Sequence, residues 1–241
     1  MHSPGCRFCN SPLTHVLCDL RMSPLSNSYQ KFENVHLGEK FYPLKVWVCD
    51  QCYLAQLEEF ESPDAIFSDY LYFSSFSTSW VEHARRYCDM MAERFGFNEG
   101  SQIVEIASND GYLLQHFKAK GIPVLGVEPA ANVAEVAWNE RQIPSVVKFF
   151  GVETAKGLVE DGKAADLLLG CNVLAHVPDI NDFVAGLKIA IKPQGVITFE
   201  FPHLHRLIEQ NQFDTVYHEH FGYLSFLAVE KIFAHHGLTL F

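Results

Sequence analysis

Five short apolar runs alternating with stretches of helical spacing constrain this 241-residue chain more than any other feature. The runs are Ile103-Val-Glu-Ile-Ala107, Pro123-Val-Leu-Gly-Val-Glu128, a weaker one from Val146-Val147, Asp166-Leu-Leu-Leu-Gly-Cys171, and Val196 to Phe201. Helices are predicted at Tyr112–Phe117, about 131–140 and about 181–191. Strands that stay apolar without alternating are buried on both faces. Interspersed helices make such a sheet parallel and covered on both sides. A further helix is predicted upstream, where Trp80, Ala84, Tyr87, Met91 and Phe95 recur at helical spacing and Gly96 ends the run.

The amino-terminal part has a different character. Cys6-Arg-Phe-Cys9 and Cys49-Asp-Gln-Cys52 form two CxxC knuckles, separated by 39 residues. Four thiolates so paired make the closed tetrahedral set of a structural zinc site, with an insertion between the knuckles. Cys18, Cys88 and Cys171 lie in apolar settings and read as small core residues. His2 and His15 lie near the knuckles, but four cysteines already fill a tetrahedron. The expected organisation is a zinc-binding domain over residues 1–62, a helical connector over 63–100 and an α/β domain over 101–241.

Two stretches carry chemistry. The loop Glu105-Ile-Ala-Ser-Asn-Asp-Gly111 joins the first strand to a helix. Its small residues let backbone approach a ligand, and the helix amino terminus faces that ligand. Only Gly111 remains of a GxGxxG-like glycine set, so Glu128, ending the second strand, strengthens the reading: an acid there accepts both hydroxyls of a ribose. The loop residues Ala107, Ser108, Asn109, Asp110 and Gly111 are thus the candidate cradle. The second stretch, Tyr217-His218-Glu219-His220, sets a phenol, a carboxylate and two imidazoles beyond the last strand, where open α/β sheets bind ligands. Buried, such groups form either a satisfied hydrogen-bond network or a proton-transfer site.

Net charge is −11, and residues 1–62 hold 5 Lys/Arg against 7 Asp/Glu, which argues against broad binding to nucleic acid or anionic lipid. No apolar run is long enough for a membrane helix, and the first residues lack the regions of a signal peptide, so a cytoplasmic protein is the expectation.

Val104-Glu-Ile-Ala-Ser-Asn-Asp-Gly-Tyr-Leu-Leu114, Gly126-Val-Glu-Pro-Ala130, Asn172-Val-Leu-Ala-His176 and Tyr217-His-Glu-His-Phe221 occur in an order that resembles the S-adenosylmethionine-dependent nucleotide-sugar C-methyltransferases. The paired knuckles and Tyr70-Leu-Tyr-Phe-Ser-Ser75 fit the same family. The resemblance implies a zinc-binding domain, then a Rossmann-like class I methyltransferase sheet of seven strands, then a further Rossmann-like domain. Leu238-Thr-Leu-Phe241 reads as the start of a sixth strand, so the expectation is a chain truncated at its carboxyl end. The implied reaction moves a methyl group from S-adenosylmethionine to a carbon next to the keto group of a nucleoside-diphosphate 4-keto-deoxysugar, commonly C3.

By the same resemblance His220 is the base and Glu219 positions it or the sugar. Tyr217 hydrogen-bonds the keto or enolate oxygen, and Tyr72, or alternatively Tyr70, reaches in from the connector. Asn172 contacts the methionine end of the cofactor, with His176 adjacent. Phe149 and Phe150 are candidates for flanking the adenine or for the core. The family's loop usually has glycine where this chain has Ala107, a change tolerable at negative φ. The rival readings are an O- or N-methyltransferase on the same fold and a non-catalytic module that binds S-adenosylmethionine. Oligomeric state is left open.

Overall fold

The computed structural model describes residues 4–62 and 72–241. Tyr70, His2 and the first part of the aromatic stretch Phe67–Ser77 lie outside the described residues. Two compact units divide the chain. A knuckle unit gathers Met1–Ile66, Leu174–Asn181 and Phe201–Phe241, and a sheet unit gathers Phe67–Val173 and Asp182–Glu200.

The knuckle unit is built on strands β1 (His15–Ser23), β2 (Tyr42–Val48) and β3 (Ala55–Gln56), which pair antiparallel in sequence order. In the sheet unit, helix α1 (Thr78–Phe95) starts on Ser77, whose hydroxyl accepts from the Trp80 N–H, and stops at Gly96 in the left-handed region. There follow β4 (Ile103–Ile106), α2 (Leu114–Lys118), β5 (Val124–Val127), α3 (Ala131–Arg141), β6 (Ser145–Val146), α4 (Val152–Glu160), β7 (Ala165–Cys171), α5 (Ile180–Ala190) and β8 (Ile191–Glu200). The chain then returns to the knuckle unit with α6 (Leu204–Glu209), β9 (Gly222–Tyr223) and α7 (Phe226–His235).

Strands β4 to β8 make a five-stranded parallel sheet in the order β6-β5-β4-β7-β8. Every residue of β4 is buried, as an apolar central strand requires. Ala84, Cys88 and Met91 of α1 pack with Ile103, Leu114, Phe117 and Leu167 to form its core. The family's seven strands are thus represented by five among the described residues.

Two local expectations are corrected. Residues 238–241 form no strand: Leu238 donates its N–H to the Phe233 carbonyl to close the turn after the last helix, and the residues after it join no ladder. The helix expected from Tyr112 starts at Leu114, because Ser108–Gly111 turns first. Helices α4, α6 and α7 and the whole antiparallel sheet go beyond the elements read from sequence. In that sheet Ala55 pairs with Tyr223, a contact that no local pattern encodes. No helix among the described residues is long and apolar enough to cross a membrane.

Candidate active site and metal centre

In the knuckle unit the Sγ atoms of Cys6, Cys9, Cys49 and Cys52 all lie within 4.8 Å of one another. Cys6 and Cys52 are 3.5 Å apart, as are Cys9 and Cys49. Zinc–sulfur bonds of about 2.3 Å in a tetrahedron give sulfur–sulfur edges of about 3.8 Å, whereas a disulfide closes to about 2.05 Å. The four thiols therefore fit a structural zinc ion and are not disulfide-bonded. Gln56, fully buried in β3, donates from Nε2 to Cys6 Sγ at 3.2 Å, and its Oε1 accepts the Arg7 N–H at 2.9 Å. Such a second contact orients a ligand and stabilises its thiolate. Gln56 carries no sequence signal for this part, because register alone brings it to the knuckle.

The cradle loop lies in the sheet unit. Ala107 donates its N–H to the Val127 carbonyl at 2.8 Å, at the carboxyl ends of β4 and β5. Its φ is +54°, so the negative angle that would excuse alanine there is not found: this residue bears a Cβ in the left-handed region. Asn109, at φ +49°, accepts the Ser74 N–H at 2.8 Å through its side chain and donates to the Tyr72 carbonyl at 3.0 Å. Asp110 accepts the Ser75 N–H at 3.3 Å. Gly111 sits at φ +76°, and a Cβ added there would lie 2.9 Å from Ile143. Tyr72 meets the loop through its backbone, while its side chain is exposed.

Glu128 is buried and acts first as a strut. Its two oxygens accept the N–H groups of Asn109 and Ala130, each at 2.9 Å, which ties the loop to the start of α3. Burial raises its pKa, and the two backbone donors oppose the rise. Each carboxylate oxygen keeps a second lone pair for a ribose hydroxyl.

Glu105, in the middle of β4, carries the other signal. It is fully buried with neither oxygen hydrogen-bonded, and burial holds its carboxyl well above the usual range, with Glu128 and Asp110 adding to the effect. Ser108 Oγ and Asp110 Oδ1 are likewise buried without partners. These orphaned acceptors around one loop fit the ammonium end of S-adenosylmethionine. The clue in the sequence is an acid inside an otherwise apolar strand. Asn172, at φ +53°, is exposed just past β7 and donates its N–H to Glu200 at 2.8 Å. Phe150 packs edge-on against Phe183, 5.3 Å between ring centres, while Phe149 is partly exposed.

The tetrad belongs to the knuckle unit. His220 is buried, with Nδ1 2.8 Å from the Thr215 carbonyl and Nε2 3.0 Å from the Tyr217 hydroxyl. A carbonyl only accepts, so Nδ1 carries the proton and Nε2 the lone pair. Burial lowers the His220 pKa, which keeps the ring neutral near pH 7. Burial, with the nearby Glu219 charge, pushes Tyr217 up to about 12, so its phenol stays protonated. Glu219 accepts from Asn27 Nδ2 at 2.6 Å, so the group found positioning His220 is the Thr215 carbonyl rather than Glu219. Burial raises the Glu219 pKa. His218 faces elsewhere, 3.2 Å from the Pro43 carbonyl, with its ring edge-on to Tyr42. The His176 ring centre lies 4.6 Å from that of His220. Burial, with His220 beside it, drives the His176 pKa down to about 3.

Comparisons with known proteins accord with this geometry. Residues 6–67 match the family described as "Putative zinc binding domain" and residues 80–241 match "Methyltransferase domain". C-methyltransferase NovU of Streptomyces niveus is 35% identical over 98% of this chain, which spans 56% of NovU's length. A ubiquinone biosynthesis O-methyltransferase of Mesorhizobium japonicum is 29% identical over 45% of this chain and 47% of its own length. Among solved structures, a candidate O-methyltransferase of Nostoc punctiforme PCC 73102 superposes with a TM-score of 0.51 at 16% identity, over 66% of this chain and 51% of that one. That likeness speaks to the fold alone. With its five-stranded sheet, its cradle loop and the match over residues 80–241, the chain belongs to the methyltransferase-domain family.

Proposed function

We propose that this protein transfers a methyl group from S-adenosylmethionine to a carbon next to the keto group of a nucleoside-diphosphate 4-keto-deoxysugar, at C3. The observation that carries this reading is the fixed tautomer of His220, a buried neutral imidazole with its basic Nε2 held against a protonated phenol. Oxygen and nitrogen acceptors bring their own lone pair to a methyl donor. A carbon acceptor has no lone pair until a proton is removed, so a buried neutral base held against a phenol suits carbon methylation. The similarity to C-methyltransferase NovU supports the same choice.

Bound S-adenosylmethionine supplies an electrophilic methyl group. In the sheet unit, Glu128 takes its ribose hydroxyls and the acceptors Glu105, Ser108 and Asp110 take its ammonium end. The backbone of Ala107 to Gly111 lines the same cradle, and Asn172 is assigned to the methionine end. In the knuckle unit, His220 Nε2 removes the proton next to the ketone. The electron pair of the broken C–H bond moves toward the carbonyl and leaves an enolate. Tyr217 gives up its bond to Nε2 as the sugar binds and donates to the developing oxyanion, so one rotation uncovers the base and supplies the donor. Tyr72 is a second candidate donor to that oxygen. Glu219, fixed by Asn27, holds a sugar hydroxyl.

Deuterium exchange at the carbon next to the ketone tests this reading without methyl transfer. The zinc-loaded protein, with S-adenosylhomocysteine present, is mixed with a nucleoside-diphosphate 4-keto-deoxyhexose in heavy water and followed by proton NMR. Exchange should be lost in His220→Ala and retained, slowed about a hundredfold, in Tyr217→Phe. Equal exchange by His220→Ala sinks the base assignment. No exchange by wild type, with oxygen methylated once S-adenosylmethionine replaces S-adenosylhomocysteine, would point to the O-methyltransferase reading.

A further inference from the structure

We propose that Arg7, inside the first zinc knuckle, is a positioning residue for the paired imidazoles of His176 and His220. Its guanidinium contacts the two segments that carry those rings. Nη1 donates to the carbonyl of Pro178, two residues after His176. Nη2 donates to the carbonyl of Leu57 at 2.5 Å, and the Leu57 N–H in turn donates to the Phe221 carbonyl at 3.1 Å. The guanidinium carbon also stands 5.4 Å from the centre of the Phe221 ring, the residue next to His220. One planar cation thus touches both segments that carry the imidazoles, whose ring centres are 4.6 Å apart.

Arg7 is itself fixed by the metal site. It lies between two of the four thiols, and its N–H is held by Gln56, which also donates to Cys6. The following residue, Phe8, has its carbonyl bound by Asn181 Nδ2 at 2.9 Å, which closes the same 174–181 segment onto the knuckle a second time. The guanidinium Nε has no hydrogen-bond partner among the described residues, so the clasp rests on the two Nη groups. Arginine suits this task because its rigid fork serves two carbonyls and stacks on a ring at once. A lysine ammonium is a point charge on a flexible stem and does not reproduce that geometry. On this reading the knuckle does more than staple the fold, because its geometry reaches the imidazoles through one side chain.

The proposal rests on the assignment of His220 as base, and its test separates the two. Zinc-loaded Arg7→Lys and Arg7→Met are prepared with nitrogen-15-labelled histidine. The Nδ1 and Nε2 resonances of His220 and His176 are then read alongside zinc content and the deuterium exchange rate. Wild-type His220 should show a single Nδ1-protonated tautomer. In Arg7→Lys, with one zinc per chain, the His220 signals should shift toward a tautomer mixture. Exchange should slow about tenfold to a hundredfold, with the loss in the maximal rate rather than in the sugar KM. Should Arg7→Met lose zinc, Arg7→Lys alone decides. Unchanged histidine signatures in a zinc-loaded variant overturn the proposal, whatever happens to the rate. Shifted signatures with an unchanged rate leave Arg7 in place and refute His220 as the base.

Discussion

Ala107→Gly should stabilise the sheet unit, contrary to the usual effect of adding a glycine. Alanine at φ +54° places its Cβ against the following carbonyl, a cost of about 1–2 kcal/mol that glycine avoids. Glycine also gains freedom in the unfolded chain, which returns about 0.4–1 kcal/mol. The balance favours the variant by roughly 0.8 kcal/mol, or a rise of about 2–3 °C in Tm for a chain of this size. Urea unfolding in a Trp47→Phe background leaves Trp80 and Trp138 as fluorescent reporters, both in the sheet unit. The midpoint should rise with an unchanged slope, since no buried surface changes. A lower midpoint would refute the left-handed assignment, because at negative φ the same substitution costs stability. Strain held at a ligand loop commonly serves the ligand, so S-adenosylhomocysteine should bind several-fold more weakly to the variant.

Glu128→Gln keeps the size of the side chain but turns one acceptor into a donor facing the Asn109 or Ala130 N–H. It should cost about 1–3 kcal/mol in urea unfolding and weaken S-adenosylhomocysteine more than tenfold by calorimetry, and unchanged affinity would remove Glu128 from the cradle. The buried imidazoles set a pH dependence of stability. His176 is held at about 3 in the fold against about 6.5 unfolded, so the unfolded chain binds the extra proton below pH 6.5. Stability from this group is complete above pH 6.5 and declines as pH falls from there toward 3. The urea midpoint gap between wild type and His176→Gln should therefore shrink between pH 7 and 5.5, and a gap that widens would reverse the sign of the shift.

The parallel sheet was legible because its strands are buried on both faces, so Ile103–Ile106 and Ala165–Cys171 read as runs that are apolar but for Glu105 and Asp166. Helix α1 was legible from spacing and from Gly96 at its end, while its Ser77 cap emerges only in the structure. The four thiols were legible because CxxC pairs fix ligand spacing in the chain itself. The pairing of β3 with β9 was not, since it joins positions about 170 residues apart. Short α4 spans nine residues with Gly157 in its interior, which lowers its helix propensity and hides it from a reading by spacing. Residues 238–241 have strand-like composition, but composition does not create a neighbour to pair with. In the tetrad, residue types pointed to proton transfer, while the roles within it depended on a main-chain carbonyl at Thr215, which any residue at that position would offer.

Chain connectivity gives the zinc module its functional weight. The sheet strands β7 and β8 end at Cys171 and Glu200, and the segments 174–181 and 201–241 that follow them fold with the amino-terminal residues. Those two excursions begin after the carboxyl ends of two parallel strands. They carry His176 and the Tyr217–His220 stretch. Neither excursion is self-sufficient. Strand β9 is two residues long and finds its partner in β3, and the 174–181 segment is anchored by Arg7 and the Phe8 carbonyl. A two-residue strand without its partner has no ladder to hold it. The imidazoles therefore depend on the amino-terminal knuckles for their placement, although more than 160 residues separate Cys6 from His176.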